Sequence, residues 1–218
     1  MVFDASLPAT VTLPMARLIR LDLGNRTGRR DVIAVDSFFV SRRDVRGELE
    51  GGLPFRDNSV DEVFCYDVLQ HIADLPAALR EIWRVCKEGS LVHIRVPHAS
   101  STFTTWMDVT QRRGFTIEAF GRLGAYALAP FDLEYARLRF TGHRPEDAHP
   151  LRRLLGLVLE PLANRSRVSQ YRCERWWGHW LGFDEVYVVI RAVKDEEELR
   201  RRRLLPRQRR QPARAQPP

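Results

Sequence analysis

Short apolar runs alternate with polar, glycine-containing stretches through the first half of the chain. Four of these runs have the length and boundaries of strands: residues 16–23, 31–35, 60–66 and 91–96. Between the last two, residues 75–87 place apolar side chains at helical spacing, and Asp74 is the predicted N-cap. A strand, a helix and a strand in this order indicate a right-handed crossover between parallel strands. The first half is therefore predicted to form an open α/β sheet, whose ligands bind at the carboxyl ends of the strands.

The second half has a less regular pattern. Residues 131–140 and 183–193 are predicted strands, and residues 151–162 are predicted to form a short apolar helix that ends near Pro161. The later strand can complete the sheet as an antiparallel pair. The aromatic segment 171–183 either covers a pocket or packs a hairpin against the body.

Three tryptophans stand close together in that segment, Trp176, Trp177 and Trp180, next to Arg175 and His179. Aromatic residues at this spacing beside an apolar hairpin are expected in the core. The alternative is a base-stacking platform for single-stranded nucleic acid.

Length and charge divide the chain into a body and a tail. With 218 residues, 44% of them apolar, the chain is predicted to form one domain, residues 1–194, followed by a basic tail, residues 195–218. The tail has eight arginines against four acidic residues, more than half of the net charge of +7. Its first part is expected to be helical to about Leu205, before Pro206, and the remainder disordered. The tail is either an arm for nucleic acid or anionic lipid, or a solvated terminus; nucleic acid is expected as a partner only through it.

The three cysteines exclude some classes of protein. Cys65, Cys86 and Cys173 are odd in number and lack CxxC spacing, which indicates a reduced compartment and neither a disulfide framework nor structural zinc. No apolar run has the length of a membrane span, so a cytoplasmic location is expected. The spacing of His71, His98 and Asp108 does not support a metal site.

The segment Leu21–Gly28 is the first candidate for chemistry. It follows a predicted strand, and Asp36 closes the next strand. Glycine at such a place lets the backbone approach a ligand, and a terminal carboxylate can accept hydrogen bonds from two ribose hydroxyls. A tight turn without a ligand is the alternative for this pattern alone.

Residues 53–96 contain a longer and more specific motif series. It comprises Leu53-Pro54-Phe55, Asp57-Asn58-Ser59, Asp61, Val68-Leu69, His71, Arg80-Glu81, Arg84-Val85, Lys87 and Gly89. In this order and spacing the residues resemble the class I S-adenosylmethionine-dependent methyltransferases, especially a small-molecule branch with a short glycine loop. Segments 97–101 and 108–116 extend the resemblance, which covers residues 17–125 and, faintly, the late strand.

The resemblance implies a Rossmann-like α/β fold with a mostly parallel twisted sheet, an antiparallel late strand and a helical, aromatic cover over residues 97–182. It implies S-adenosylmethionine as cofactor and a small-molecule acceptor. It also assigns the cofactor contacts. Asp22, Gly24 and Asn25 lie under the methionine moiety, Asp36 binds the ribose, and Glu48 flanks the adenine. Tyr66 and Asp67 lie next to the methyl group, and Gln70 stands where the family usually has a glutamate that faces the cofactor pocket.

Two histidines are the candidates for acid-base chemistry. Methyl transfer from a sulfonium is an in-line displacement, so the protein must mainly position, desolvate and sometimes deprotonate the acceptor. His71 is either a general base or a structural hydrogen-bonding residue. His98, beside Ser100 and Ser101, is placed near a strand end where the substrate is expected, whereas His93 is expected on a sheet face.

The glycine motif departs from the family. Arg26 stands where the family has a second glycine, and it either obstructs the cofactor or points outward and pairs with the cofactor carboxylate. Two functions therefore follow: a methyltransferase acting on a small molecule or a cell-envelope precursor, or a methyltransferase-like binding protein that has lost the cofactor. An RNA-binding module that uses the tail is a third possibility. The oligomeric state is not predicted.

Overall fold

A single seven-stranded sheet forms the centre of the molecule. The structure, a computed structural model, describes residues 18–24, 27–36, 45–101, 105, 108–123, 130–141 and 149–204. The strands are β1 (Arg20–Leu23), β2 (Ile33–Asp36), β3 (Val45–Arg46), β4 (Val60–Tyr66), β5 (Cys86–Pro97), β6 (Phe131–Arg139) and β7 (Glu185–Ala192). Their order is β3-β2-β1-β4-β5-β7-β6. Neighbours from β3 to β5 are parallel, and β7 is antiparallel to both β5 and β6. The predicted mixed α/β sheet with an antiparallel late strand is confirmed.

The helices lie before β5, between β5 and β7, and after β7. They are α1 (Leu75–Val85), α2 (Ile117–Gly121), α3 (Pro150–Ala163), α4 (Arg167–Arg172), α5 (Gly178–Leu181) and α6 (Glu196–Leu204). A π-helical turn, Cys173–Trp177, joins α4 to α5. No helix in the described ranges is both long and apolar enough to cross a bilayer.

Helix α1 begins and packs as its sequence predicts. The Asp74 carboxylate accepts a hydrogen bond of 2.9 Å from the backbone N–H of Ala77, which satisfies a donor of the first turn. Leu79 and Ile82 are fully buried against the sheet. Each contributes about 1.5–3 kcal/mol through removal of apolar surface from water.

Two motif residues of α1, Glu81 and Arg84, bind the backbone of the motif segment that begins at Leu53. This contact explains why the two motifs occur together in the sequence. Glu81 Oε1 accepts hydrogen bonds from the Leu53 N–H at 2.6 Å and from Arg84 Nη2 at 2.7 Å. The Arg84 guanidinium also donates to the carbonyls of Leu53 and Phe55, at 3.0 and 2.9 Å. The Glu81–Arg84 ion pair therefore holds the loop before β4 against helix α1, which follows β4.

One face of the sheet carries a polar and aromatic cluster. The His93 ring stacks on Phe64 with centroids 4.9 Å apart. Its two nitrogens lie 3.0 Å from Glu62 Oε1 and 2.9 Å from the Tyr187 hydroxyl. His93 is therefore a sheet-face histidine with both nitrogens engaged, as the sequence indicates.

Helices α3 and α4 complete the hydrogen bonding of β6, which lies at one end of the strand order. Asn164 donates to the Leu138 carbonyl and accepts from the Leu138 N–H, each at 2.8 Å. Glu160 accepts from the Phe140 N–H at 2.9 Å, and Gln170 donates to the Ala136 carbonyl at 2.6 Å. Because an edge strand exposes unpaired backbone groups, these polar side chains turn inward to satisfy them.

Two details of the second half differ from the sequence prediction. Helix α3 does not end near Pro161 but contains it and continues to Ala163. The exposed side of a helix tolerates the loss of one N–H, since water can bind the freed carbonyl. The tryptophans of the aromatic segment are exposed rather than in the core, with 66% of Trp176, 58% of Trp177 and 87% of Trp180 accessible. The tail helix α6 matches the prediction as far as Leu204, and the expected disorder after it lies outside the described residues.

Candidate active site

Three residues assigned to the cofactor meet at the carboxyl edge of the sheet. Leu23 of β1 lies opposite Val35 of β2 and Cys65 of β4. The next residues, Gly24, Asp36 and Tyr66, therefore follow in one row across three parallel strands. Gly24 has a φ of +82°, which favours glycine, and its N–H donates to the Val35 carbonyl at 2.8 Å. The site thus has a glycine where a ligand can approach the backbone closely, and a carboxylate, that of Asp36, on the adjacent strand.

Asp22 shapes the loop that follows β1. Only 1% of this residue is exposed, and its Oδ2 accepts hydrogen bonds from the Thr27 N–H at 2.9 Å and from the Thr27 hydroxyl at 2.5 Å. A buried carboxylate requires such partners. Thr27 is a site residue that the sequence pattern did not reveal, although a hydroxyl five positions after Asp22 was a usable signal. Asn25 and Arg26, between them, lie outside the described residues.

Arg95 holds the two residues at the end of β4. Its guanidinium forms an ion pair with the Asp67 carboxylate and lies 4.7 Å from the centre of the Tyr66 ring. Asp67 has a φ of +56°, and its N–H donates to the Arg95 carbonyl at 2.9 Å. Burial raises the pKa of the Tyr66 phenol, which keeps it protonated at neutral pH. Both side chains are in place at the strand end, with Asp67 already engaged by a cation.

Gln70 is buried with an unsatisfied acceptor. The residue is 2% exposed, and within the part of the chain that the structure describes its Oε1 has no hydrogen-bond partner. Leaving a buried acceptor unpaired costs about 1–3 kcal/mol, and folded proteins rarely do so. A polar group of a ligand is one partner that would remove this cost.

His71 is the terminal member of a hydrogen-bonded chain. Its Nδ1 lies 3.0 Å from the Thr110 hydroxyl oxygen. That hydroxyl donates to Asp108 Oδ1 at 2.7 Å, and the Thr110 N–H donates to the same oxygen at 2.8 Å. These bonds lower the pKa of Asp108, so the carboxylate is an acceptor. The Thr110 oxygen therefore accepts a hydrogen bond from the N–H of His71 Nδ1, which leaves Nε2 with the free lone pair.

The loop that carries Thr110 is bound to the turn after β4. The Arg112 N–H donates to the Gln70 carbonyl at 2.8 Å, and its Nε donates to the His71 carbonyl at 3.1 Å. Arg113 donates to the carbonyls of Ile72 and Ala73 at 3.1 and 3.0 Å. From charge alone, this arginine pair is either an anion-binding element or part of a solvated loop. The structure shows both arginines as braces between two backbone segments.

His98 has a different environment from His71. It is 2% exposed, and its Nδ1 accepts from the Ser100 N–H at 3.0 Å and lies 2.7 Å from the Ser100 hydroxyl oxygen. Its Nε2 lies 3.2 Å from Glu174 Oε1, which also accepts from the Ile117 N–H at 2.7 Å. With both nitrogens engaged and the ring buried, this geometry fits a residue that positions the segment after β5. No sequence motif points to Glu174.

Glu48 lies in the turn after β3. Its side chain is exposed, and its carbonyl accepts from the Gly51 N–H at 3.2 Å. The preceding residue, Gly47, donates to the Asp36 carbonyl at 3.2 Å. Glu48 therefore follows a residue that is hydrogen-bonded to the end of β2. Among the described residues, its side chain makes no hydrogen bond to the other proposed site residues. Within the described ranges, no three His, Cys, Asp or Glu side chains cluster in a way that suits a metal ion.

Comparison with known proteins shows what this part of the chain is similar to. Residues 22–94 match the family described as Methyltransferase domain. Over these residues the chain is similar to a methyltransferase domain. The matched region runs from Asp22 in β1 to β5 and includes Gly24, Asp36, Tyr66 and the turn with His71. The predicted resemblance is confirmed, and the cofactor that it implies is S-adenosylmethionine.

Solved structures show the same fold around the methyltransferase domain. The [4+2]-cyclase SpnF is 16% identical, with 82% of this chain and 76% of that chain covered and a TM-score of 0.53. An S-adenosylmethionine-dependent methyltransferase from Mesorhizobium loti is 14% identical, with 82% and 93% covered and a TM-score of 0.52. These likenesses concern the fold alone. No curated protein matches the sequence.

Proposed function

We propose that this protein transfers a methyl group from S-adenosylmethionine to a small-molecule or cell-envelope precursor acceptor. The observation that carries the proposal is the row of Gly24, Asp36 and Tyr66 at the carboxyl edge of three parallel strands, inside the methyltransferase domain. This edge is where open α/β sheets bind their ligands. The buried, unpaired Oε1 of Gln70 fits a polar ligand beside that row.

Each residue has a distinct task in cofactor binding. Asp36 accepts hydrogen bonds from the ribose hydroxyls, because it ends the strand next to β1. Gly24 admits the cofactor close to the backbone, and the Asp22–Thr27 bonds hold that loop in shape. Asn25, Glu48 and Gln70 are proposed as further contacts. When bound, S-adenosylmethionine supplies an electrophilic methyl group.

The acceptor side of the site is proposed to rely on His71. Its Nε2 accepts the proton that the acceptor nucleophile loses, while Thr110 and Asp108 keep Nδ1 protonated. Residues 97–182 are proposed to cover the acceptor, since the loop containing Thr110 is already bound to the turn after β4. His98 is proposed to position this cover through Ser100 and Glu174.

Calorimetric titration with S-adenosylmethionine and S-adenosylhomocysteine tests the proposal. Micromolar binding by the natural chain is expected, with a loss of at least about tenfold in Asp36→Ala, because the ribose loses charge-assisted hydrogen bonds. Asp132→Ala is the matched control, since Asp132 lies on β6 at the opposite end of the strand order. Equal binding by Asp36→Ala and the natural chain would contradict the assigned site.

A methyltransferase-like protein without cofactor binding is the second candidate. It is favoured by Arg26, which stands where the family has a second glycine. Arg26→Gly separates the two candidates. Binding that appears only in this variant supports the second, whereas binding by the natural chain supports methyl transfer.

A further inference from the structure

Helix α3 has an apolar stripe on its outer face, and no element in the described part of the chain covers this stripe. Residues at i, i+3, i+4, i+7 and i+11 fall on one side of a helix. In α3 these positions are Leu151, Leu154, Leu155, Val158 and Leu162. Each is between 45% and 62% exposed. An ordinary surface helix turns such a stripe toward the core, so this helix lies with its apolar side outward.

The inward side of α3 explains this orientation. Gly156 and Ala163 are buried there, and Glu160 binds the Phe140 N–H of the edge strand. A Cβ on Gly156 would lie 3.2 Å from Thr141 Cγ2, so the helix approaches the sheet closely. The orientation is thus fixed by hydrogen bonds and close packing, and the exposed stripe is a stable feature of the surface.

The exposed apolar surface continues along the chain beyond α3. Val168 and Tyr171 of α4 are 59% and 48% exposed, and the three exposed tryptophans follow in the π-helical turn and α5. A surface this apolar is typical of a binding site on a protein or membrane. Tryptophan combines an apolar ring with a polar N–H and is enriched where water meets lipid.

The charge of this segment indicates which partner it fits. Residues 150–181 contain six arginines and two acidic residues, Glu160 and Glu174. Both carboxylates are turned inward, Glu160 to the Phe140 N–H and Glu174 to the Ile117 N–H. The exposed charge is therefore cationic. A groove of about 800 Å³ beside Leu154 and Leu157 of α3 is lined by Arg137, Arg139, Arg153 and Glu160. Arg137 is paired with Glu160 at 3.4 Å, and Arg139 with Glu185 at 3.7 Å, so Arg153 adds to the exposed positive charge there.

A second copy of the chain fits this surface poorly. A twofold interface brings the same patch of both copies together, which would place arginines against arginines with both acidic side chains of the segment bound elsewhere. Nucleic acid would match the charge, but contacts with phosphates and bases leave an aliphatic stripe unused. An anionic lipid bilayer matches both the apolar side chains and the cations.

We propose that residues 150–181 form a docking surface for an anionic lipid bilayer. The leucines of α3 and the tryptophans enter the interfacial layer, and the exposed arginines Arg153, Arg165, Arg172 and Arg175 bind the lipid phosphates. Arg152 is excluded from this role, because it binds Asp184 and two backbone carbonyls. The helix lies on the bilayer and does not span it. This inference is independent of methyl transfer, since vesicle binding requires neither cofactor nor acceptor.

Vesicle flotation with the full chain tests the inference. Binding is expected to vesicles of phosphatidylcholine and phosphatidylglycerol, with weaker binding to phosphatidylcholine alone and at high salt. The double variant Leu154→Ser/Val158→Ser is expected to bind at least about tenfold more weakly, because two apolar side chains that enter the bilayer are lost. Leu18→Ser/Val109→Ser is the matched control, since both residues are exposed outside the segment. Circular dichroism verifies that each variant folds.

A tail variant and two further measurements separate the apolar stripe from the basic tail and from a different partner. Changing Arg207, Arg209, Arg210 and Arg214 to Gln removes tail charge, and vesicle binding is expected to persist. Loss of binding in this tail variant but not in the stripe variant would overturn the proposal. Absence of binding to anionic vesicles would also overturn it. So would salt-dependent binding to RNA that the stripe variant retains in full, or a dimer in light scattering that only the stripe variant converts to monomer.

Discussion

The Nδ1 atom of His71 lies 3.0 Å from the hydroxyl oxygen of Thr110, a residue 39 positions later in the chain. Thr110 in turn binds Asp108, so a carboxylate acts on the imidazole through a hydroxyl. The chain of bonds selects one neutral tautomer, with the proton on Nδ1 and the lone pair on Nε2. The proposed role of His71 as a general base uses this Nε2 lone pair.

Removing the Thr110 hydroxyl should change this tautomer. In Thr110→Val we expect the Nδ1–H form of neutral His71 to lose its preference, because the acceptor is gone, while Thr110→Ser should retain it. Long-range proton–nitrogen NMR spectra of labelled protein report the two tautomers directly. Identical His71 nitrogen shifts in the natural chain and Thr110→Val would show that the bond does not form in solution.

Gly114 should not tolerate a side chain. A Cβ there would lie 2.6 Å from the Ala99 Cα, and backbone atoms cannot move aside cheaply. Gly114→Ala is expected to lower the free energy of unfolding by about 1–3 kcal/mol, as overpacking does. Gly51→Ala is the control, because the nearest atoms to its Cβ are 3.9 Å away. Urea denaturation measures both, and equal stability of the two variants would contradict the close approach.

The Glu81–Arg84 ion pair should make the free energy of unfolding depend on pH. The Arg84 guanidinium lowers the pKa of Glu81 in the folded protein. The resulting stabilisation is present above the unfolded pKa of glutamate and is lost as the pH falls through the lower, folded value. Glu81→Gln should therefore lower the free energy of unfolding by about 1.5–3 kcal/mol at pH 7, with a smaller difference in acid.

An exposed ion pair provides the control for that experiment. Glu118 pairs with Arg122 at 2.8 Å, and 44% of the Glu118 side chain is exposed. Glu118→Gln should change the stability at pH 7 by less than about 1 kcal/mol. Denaturant titrations between acid and neutral pH compare the three proteins. A Glu81→Gln curve parallel to that of the natural chain at all pH values would exclude the linkage.

The cysteines should differ in reactivity. Burial raises the pKa of the Cys86 thiol to about 12 and also raises that of Cys65. Cys173 is only partly buried, although burial raises its pKa too. A thiol-specific disulfide reagent at pH 8 is expected to modify at most Cys173 in the folded protein and all three after denaturation. Rapid modification of Cys65 in the native state would contradict its burial.

Local pattern predicts the parallel half of the sheet well. Strand β4 spans the predicted residues 60–66, and α1 begins after Asp74 as expected, because apolar spacing and an N-cap are local properties. The motif series around Leu53 also predicts the methyltransferase domain. Its spacing reflects a physical constraint, since the Glu81–Arg84 pair must reach the Leu53 backbone.

Local sequence patterns do not predict hydrogen-bond partners that lie far apart in the chain. Thr110 and Glu174 hold His71 and His98, yet each is an ordinary polar residue in the sequence. Only the fold brings them within hydrogen-bond distance. The same applies to Arg112 and Arg113, whose backbone contacts cannot be inferred from charge.

The orientation of α3 shows where sequence and tertiary structure divide their roles. The sequence by itself predicts a short apolar helix over residues 151–162, because periodicity is a local property of the side chains, although the helix continues past Pro161 to Ala163. Only the tertiary structure decided which side faces the protein. Glu160 and Asn164 satisfy the backbone of edge strand β6, and Gly156 allows a close approach, so the side with Gly156, Glu160 and Ala163 turns inward. A periodic pattern defines two faces, but the energy of unpaired backbone groups on a neighbouring strand selects between them.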